Sequence, residues 1–261
     1  MPPYLDLAWP LSVLLLSLRL GAMLLMTPVL QAMNTPPMVR VLLVLALSAL
    51  LITAFPASRM PMSADGLGGT GGAKVFQAAL NELVLGGALG LGITLAFAAF
   101  SVAGRLLDLQ IGYSIGQALD PVSRAQSTVL TSLFGMVGVL LFFVTNGHHT
   151  LVRAFAAILE RYPVGQALPG PAAAAALIGQ AAGMFTLGLA LVAPVVLALL
   201  LLDCGLAMVA RSLPQINMFL MSIPVKVLVG LGTLGMWMGS SGGQAGRIHA
   251  STLHYWEGLF R

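Results

Sequence analysis

Long apolar runs, without any period-two alternation, leave this chain few ways to fold. About six stand out, at Trp9–Met33, Val41–Pro56, Leu83–Gly104, Val129–Asn146, Leu177–Val209 and Ile223–Ser240. A helix crossing the hydrocarbon layer needs roughly 20 mostly apolar residues. Where water is absent, every backbone N–H and C=O must be paired internally, which leaves helices or a closed barrel. Barrel strands would alternate apolar and polar residues, and these runs do not. The predicted class is an all-α membrane protein of about six long apolar helices, some kinked or broken, forming helical hairpins. Composition agrees. The chain is 58% hydrophobic and 8% charged, against roughly a quarter charged in an ordinary soluble domain. So few charges cannot keep a 27.1 kDa particle dissolved.

The runs are unequal in length. The second is short for a span, whereas the fifth would reach roughly 50 Å as a straight helix at ~1.5 Å per residue. Pro194 inside the fifth predicts a kink. Mismatched lengths suit helices whose ends are set by protein neighbours. A single domain is expected over 1–261, with a flexible Gly/Pro-rich loop at 57–74 and a C-terminal tail at 241–261.

Twelve Lys and Arg, ten of them Arg, give a net charge of +4. They are scattered singly, so no clustered basic face for nucleic acid is present. Isolated arginines at segment ends suit phosphate contact or buried ion pairs. Alternate connections carry nearly equal positive charge, so no orientation follows from a positive-inside bias. No basic region precedes the first apolar run, and that helix is expected to stay in the mature protein. The single cysteine, Cys204, rules out an intrachain disulfide.

Glycines recur at helix-face spacing. Gly86 and Gly90 fall on one face of the third run and permit close helix approach, either in generic membrane packing or against another subunit. Asp108 and Asp203 lie at or inside apolar runs, and Glu82 and Arg105 flank the third. A charge at membrane depth needs a partner or a polar cavity. Ion pairs with Arg105, Arg124 or Arg211 are expected in preference to a proton relay, since no acid–His–acid series is visible. His148 and His149 are adjacent, and His249 and His254 are five apart, so neither pair has the i,i+4 spacing of a helical metal site. No metal, cofactor or catalytic constellation is read, and an enzyme is not expected.

Several short polar motifs then fall in a telling order. They are R-L-G-A-M-L-L-M-T-P (Arg19–Pro28), E-L-V-L-G-G-A-L-G (Glu82–Gly90), A-G-R-L-L-D-L-Q-I-G (Ala103–Gly112) and D-P-V-S (Asp120–Ser123). N-G-H-H (Asn146–His149), Y-P-V-G (Tyr162–Gly165), R-S-L-P-Q-I-N-M-F (Arg211–Phe219) and P-V-K (Pro224–Lys226) follow. In this order they resemble the FliR family of flagellar type III export-gate subunits, with the SctT-type virulence secretion subunits as near relatives. The likeness runs from about Arg19 to Gly239, and N-G-H-H leans towards the flagellar branch.

The resemblance implies a pore-forming subunit of a hetero-oligomeric export gate in the bacterial inner membrane. FliP-like, FliQ-like and FlhB-like subunits would be its partners, and unfolded substrates would cross the shared pore. The loop from Gln110 to Leu119 resembles the family's plug, which assigns a sealing role to Gln110, Ile111, Gly112, Tyr113, Ser114 and Ile115. Two glycines give that backbone freedom, and Ile111, Tyr113 and Ile115 supply apolar bulk. Relatives often carry phenylalanines in its second half, where this chain has Ile115, Ala118 and Leu119. Subunit packing is expected at Gly86 and Gly90. It is also expected at the helix break marked by Arg211, Pro214, Gln215, Asn217 and Phe219, where two amides can satisfy freed backbone groups.

The rival from another class is a secondary transporter or solute channel. Transporters usually carry broken helices in matched positions of two repeats. Here the Pro194 break has no mate in the short second run.

Overall fold

The computed structural model describes residues 8–28, 36–56, 71–112 and 129–259, apart from 169, 214, 216, 240 and 241. Among these residues the chain forms eight α-helices: α1 (Ala8–Met26), α2 (Pro37–Ala54), α3 (Gly71–Ile111), α4 (Val129–Val144), α5 (Gly147–Arg161), α6 (Gly170–Ser212), α7 (Met218–Met238) and α8 (Gly242–Leu259). Five are long and apolar enough to cross a membrane, or six if α4 and α5 count as one broken span.

Two expectations change. Helix α3 begins at Gly71, so the end of the expected 57–74 loop is helical, and α3 is 41 residues long. Its first turns carry exposed Lys74 and Gln77 and so escape an apolarity scan. The expected tail is helix α8, amphipathic over 18 residues. Helix α6 runs through Pro194 as one helix of 43 residues.

The breaks between helices have local causes. Asn146 adopts a left-handed backbone, φ 55°, and ends the α4 path before α5 starts; asparagine is among the few residues that tolerate this conformation. Asn217 caps α7, its side-chain oxygen accepting from the Leu220 N–H at 3.5 Å.

The helices group into two compact units. One holds Met1–Leu95, Asn146–Gln180 and Thr252–Arg261; the other holds Ala96–Thr145 and Ala181–Ser251. In the first, Leu15, Leu16 and Leu20 of α1 and Leu85, Leu89 and Ile93 of α3 are fully buried, and α1 packs on α2. The last turns of α8 anchor there too. Tyr255 donates its hydroxyl to the Ala88 carbonyl at 2.9 Å, and Trp256 donates its indole N–H to the Leu89 carbonyl at 3.2 Å. A Cβ at Gly92 would collide with the Tyr255 ring. Burial pushes the Tyr255 phenol up to about 12, which keeps it a donor.

The second unit has its core on Ala96, Ala99, Phe100, Ala103, Leu107 and Ile111 of α3, facing Leu191, Val192, Val195 and Leu199 of α6. Both series follow helical spacing, so each is one continuous stripe. His249 of α8 is set among Phe97, Phe100 and Phe142, with ring centroids 5.6–5.7 Å away. Burial holds its imidazole below the ordinary histidine range, and the Gly138 backbone offsets this only in part.

Candidate functional site: a clamped segment and a buried charge cluster

The expected plug divides in two. Gln110 and Ile111 complete α3, and Gly112 terminates it with φ 95° while its N–H donates to the Asp108 carbonyl at 3.1 Å. A left-handed residue after the last turn is the usual glycine stop. Tyr113, Ser114 and Ile115 lie outside the described residues, as do Ala118, Leu119 and the Asp120–Ser123 motif.

Ile111 itself is fully buried in the core of its unit, and Gly230 of α7 approaches so closely that a Cβ there would meet Ile111 Cδ1 at 2.6 Å. The residue therefore anchors the base of the segment.

The far end of the segment is tied to the same place. Asp108, 1% exposed, accepts from the Leu130 N–H at 3.2 Å, the Thr131 N–H at 2.9 Å and the Thr131 hydroxyl at 2.8 Å. These are free N–H groups of the first turn of α4, where a carboxylate also meets the positive end of the helix dipole. Gly104 of α3 makes the approach possible: a Cβ there would lie 2.5 Å from Thr131 Cα. The described contacts of Asp108 thus tie the end of α3 to the start of α4. Asp108→Ala should lower the melting temperature of the purified protein by an amount corresponding to about 1–2 kcal/mol, with Asp108→Asn retaining part of it. Equal melting of Asp108→Ala and parent would remove the clamp from consideration.

The buried Glu82 and the partly exposed Asp203 do form ion pairs, with partners that the sequence did not single out. Arg19 and Glu82 are both fully buried and pair through two bonds, Nε to Oε2 at 2.6 Å and Nη2 to Oε1 at 2.8 Å. Arg19 Nη1 also donates to the Tyr162 carbonyl at 3.1 Å, and Glu82 Oε1 accepts from the Gly165 N–H at 2.7 Å. Asn81 donates to the Gly165 carbonyl at 3.1 Å, and Gly165 has φ 93°. Three motifs far apart in the chain, around Arg19, Glu82 and Tyr162–Gly165, therefore meet in one cluster. Their signal in the sequence was lone charges inside apolar runs, which demand partners without naming them. Asp203 pairs with Lys226 at 2.6 Å, where Arg211 had been among the expected partners.

The small-residue face of α3 is occupied by this chain's own α1. A Cβ at Gly86 would collide with the Arg19 carbonyl oxygen, and one at Gly90 would lie 3.0 Å from the Met23 carbonyl. Close helix contact at both glycines is thus present within the chain, at the place where a second subunit had been expected. At the other expected packing site, Arg211 and Gln215 are exposed at the α6–α7 break. Pro214 and the Phe219 side chain lie outside the described residues.

The model of the family described as bacterial export proteins, family 1, matches residues 11–250. The chain belongs to that family. It is 28% identical to the flagellar biosynthetic protein FliR of Escherichia coli K12 over 230 residues, 88% of this chain and 83% of the relative. The FliR of Bacillus subtilis 168 is 34% identical over 154 residues, 58% of this chain and 60% of its own. Yop proteins translocation protein T of Yersinia pestis is 26% identical over 147 residues, 56% of each chain. As a bacterial export protein of family 1, the chain is a multi-pass membrane protein, all-α among its described residues.

Proposed function

We propose that the chain is a pore-forming subunit of the flagellar type III protein export gate in the bacterial inner membrane. It joins FliP-like, FliQ-like and FlhB-like subunits there and passes unfolded flagellar substrates. The observation that carries this is its similarity to a flagellar FliR along 88% of its length. Likeness to the virulence-type relative spans a shorter share, 56%, which favours the flagellar reading. Apolar faces on α6 and α7 fit lipid or neighbouring subunits: Leu201 and Met208 are each 74% exposed, Leu228 75% and Met236 83%. The chain acts as structure and conduit, with no catalytic step of its own.

Within this reading, the segment from Gln110 to Leu119 forms the seal, and Ile111 and Asp108 hold its start. A pore wide enough for an unfolded chain leaks ions unless an apolar constriction expels water between export events. Tyr113 and Ile115 supply that constriction, and Ile111 and Gly112 hold its base. The test is to express the chain with its gate partners in a strain lacking FliR. Motility should return, and deletion of Tyr113–Ile115 should leave assembly intact while planar bilayers carrying the purified gate gain ion conductance. Failure of the stably inserted parent chain to restore motility counts against the flagellar assignment. An ion-tight deletion variant moves the seal elsewhere.

A further inference from the structure

The first unit carries a groove whose lining shares only Tyr162 with the ion-pair cluster. It encloses about 700 Å³ between α5 and the end of α8, within the roughly 300–1,000 Å³ typical of small-molecule sites. Thr150, Arg153, Ala157 and Arg161 of α5 line one side, and Leu253 and Trp256 of α8 the other. The α5 residues recur at three, seven and eleven positions from Thr150, so they form one stripe of the helix. Arg153 and Arg161 bracket it two turns apart, about 12 Å along the axis. Both arginines are exposed, and among the described residues neither makes an ion pair. The acid at the rim, Glu257, is 68% exposed and faces His254 Nδ1 at 3.6 Å.

The floor between the arginines is apolar: small alanines on α5 opposite Leu253 and the buried Trp256. Arginine matches phosphate oxygens through several donors in one plane. Two unpaired guanidinium groups over an apolar trough match a ligand that is anionic at one end and hydrocarbon at the other. Helix α5 has the matching character of an interfacial helix, with Phe155, Ile158 and Leu159 buried and Arg153, Glu160 and Arg161 exposed. We infer that the α5–α8 groove is a binding site for an anionic phospholipid, its phosphate held by Arg153 and Arg161 and an acyl chain lying over Ala157, Leu253 and Trp256. The site is independent of whether the Gln110–Leu119 segment seals a pore.

The full chain, purified from membranes with whatever subunits accompany it, allows a direct test. Retained lipid is counted by native mass spectrometry after exposure to phosphatidylglycerol, to phosphatidylcholine and to glycerol phosphate. The parent should hold phosphatidylglycerol in preference to phosphatidylcholine, and glycerol phosphate should fail to displace it. Arg153→Gln should weaken retention roughly tenfold, and adding Arg161→Gln should weaken it further, since a hydrogen bond to a charged group carries about that factor. The paired lysine variant, which keeps the charge, should retain an intermediate amount and so separates phosphate binding from misfolding. Undiminished retention in the double glutamine variant overturns the proposal, as does equal retention of phosphatidylcholine. Displacement by glycerol phosphate makes the occupant a soluble anion and also overturns it. A photocrosslinker at Ala157 that captures a polypeptide in place of lipid assigns the groove to a protein.

Discussion

Arg19→Leu is expected to reduce the chain in membranes to a small fraction of the parent level, and Glu82→Leu to do the same. Either change leaves one full charge buried, without its partner, among helices closed to water. Breaking such a pair costs about 3–5 kcal/mol, a large part of the roughly 5–15 kcal/mol that holds a domain folded. The loss spreads beyond the pair, because Arg19 also holds the Tyr162 carbonyl and Glu82 the Gly165 N–H. Combining Arg19→Met with Glu82→Leu should recover much of the accumulation, since no naked charge remains. The readout is the amount of chain in membranes together with its resistance to added protease. Normal accumulation of either single variant would show that water reaches this cluster, and the account of it would fail.

A graded series along one helix tests the packing of α3 on α1. Gly86→Ala should destabilise by about 1–3 kcal/mol, because an added methyl would strike backbone that cannot move without shifting α1. At Gly90 the nearest atoms lie at 3.0–3.1 Å, and one of them is the Met26 Cβ, so Gly90→Ala should cost less. At Gly87 nothing lies within 4 Å. There alanine should be neutral or should stabilise by roughly 0.5–1 kcal/mol through its better helix propensity. Thermal unfolding in detergent should therefore rank the variants 87, 90, 86 from most to least stable. Equal loss at Gly86 and Gly87 would mean that α1 does not lie where it is described.

The apolar stretches and the close contacts at Gly86 and Gly90 were legible from residue order, because hydropathy and helix-face spacing are local properties. Helices α5 and α8 were not legible as such. Each is amphipathic and too polar on average to register in an apolarity scan, and Gly242, Gly243 and Gly246 make the start of α8 read as a tail. The start of α3 was hidden for the same reason. Buried charges were legible as unfinished business, yet their partners lie 63 residues apart for Arg19 and Glu82, a separation that no local pattern encodes. Asp108 shows the complementary failure. Its described partners are largely backbone amides, which every residue but proline has, so nothing in the residue types pointed to Leu130 and Thr131.

The seam between α3 and α8 also has a consequence in time. Trp256 reaches back 167 residues to the carbonyl of Leu89, and at the roughly 5–20 residues per second of translation that wait is about 8–33 s. Arg19 and Glu82 wait as well, for Tyr162 and Gly165, which emerge 143 and 83 residues after them. During synthesis the first helices therefore stand with a half-satisfied charge pair and an uncovered Gly92 groove, and translocation machinery or a chaperone must shelter them. A ribosome that stalls before Trp256 leaves the first unit without its last support.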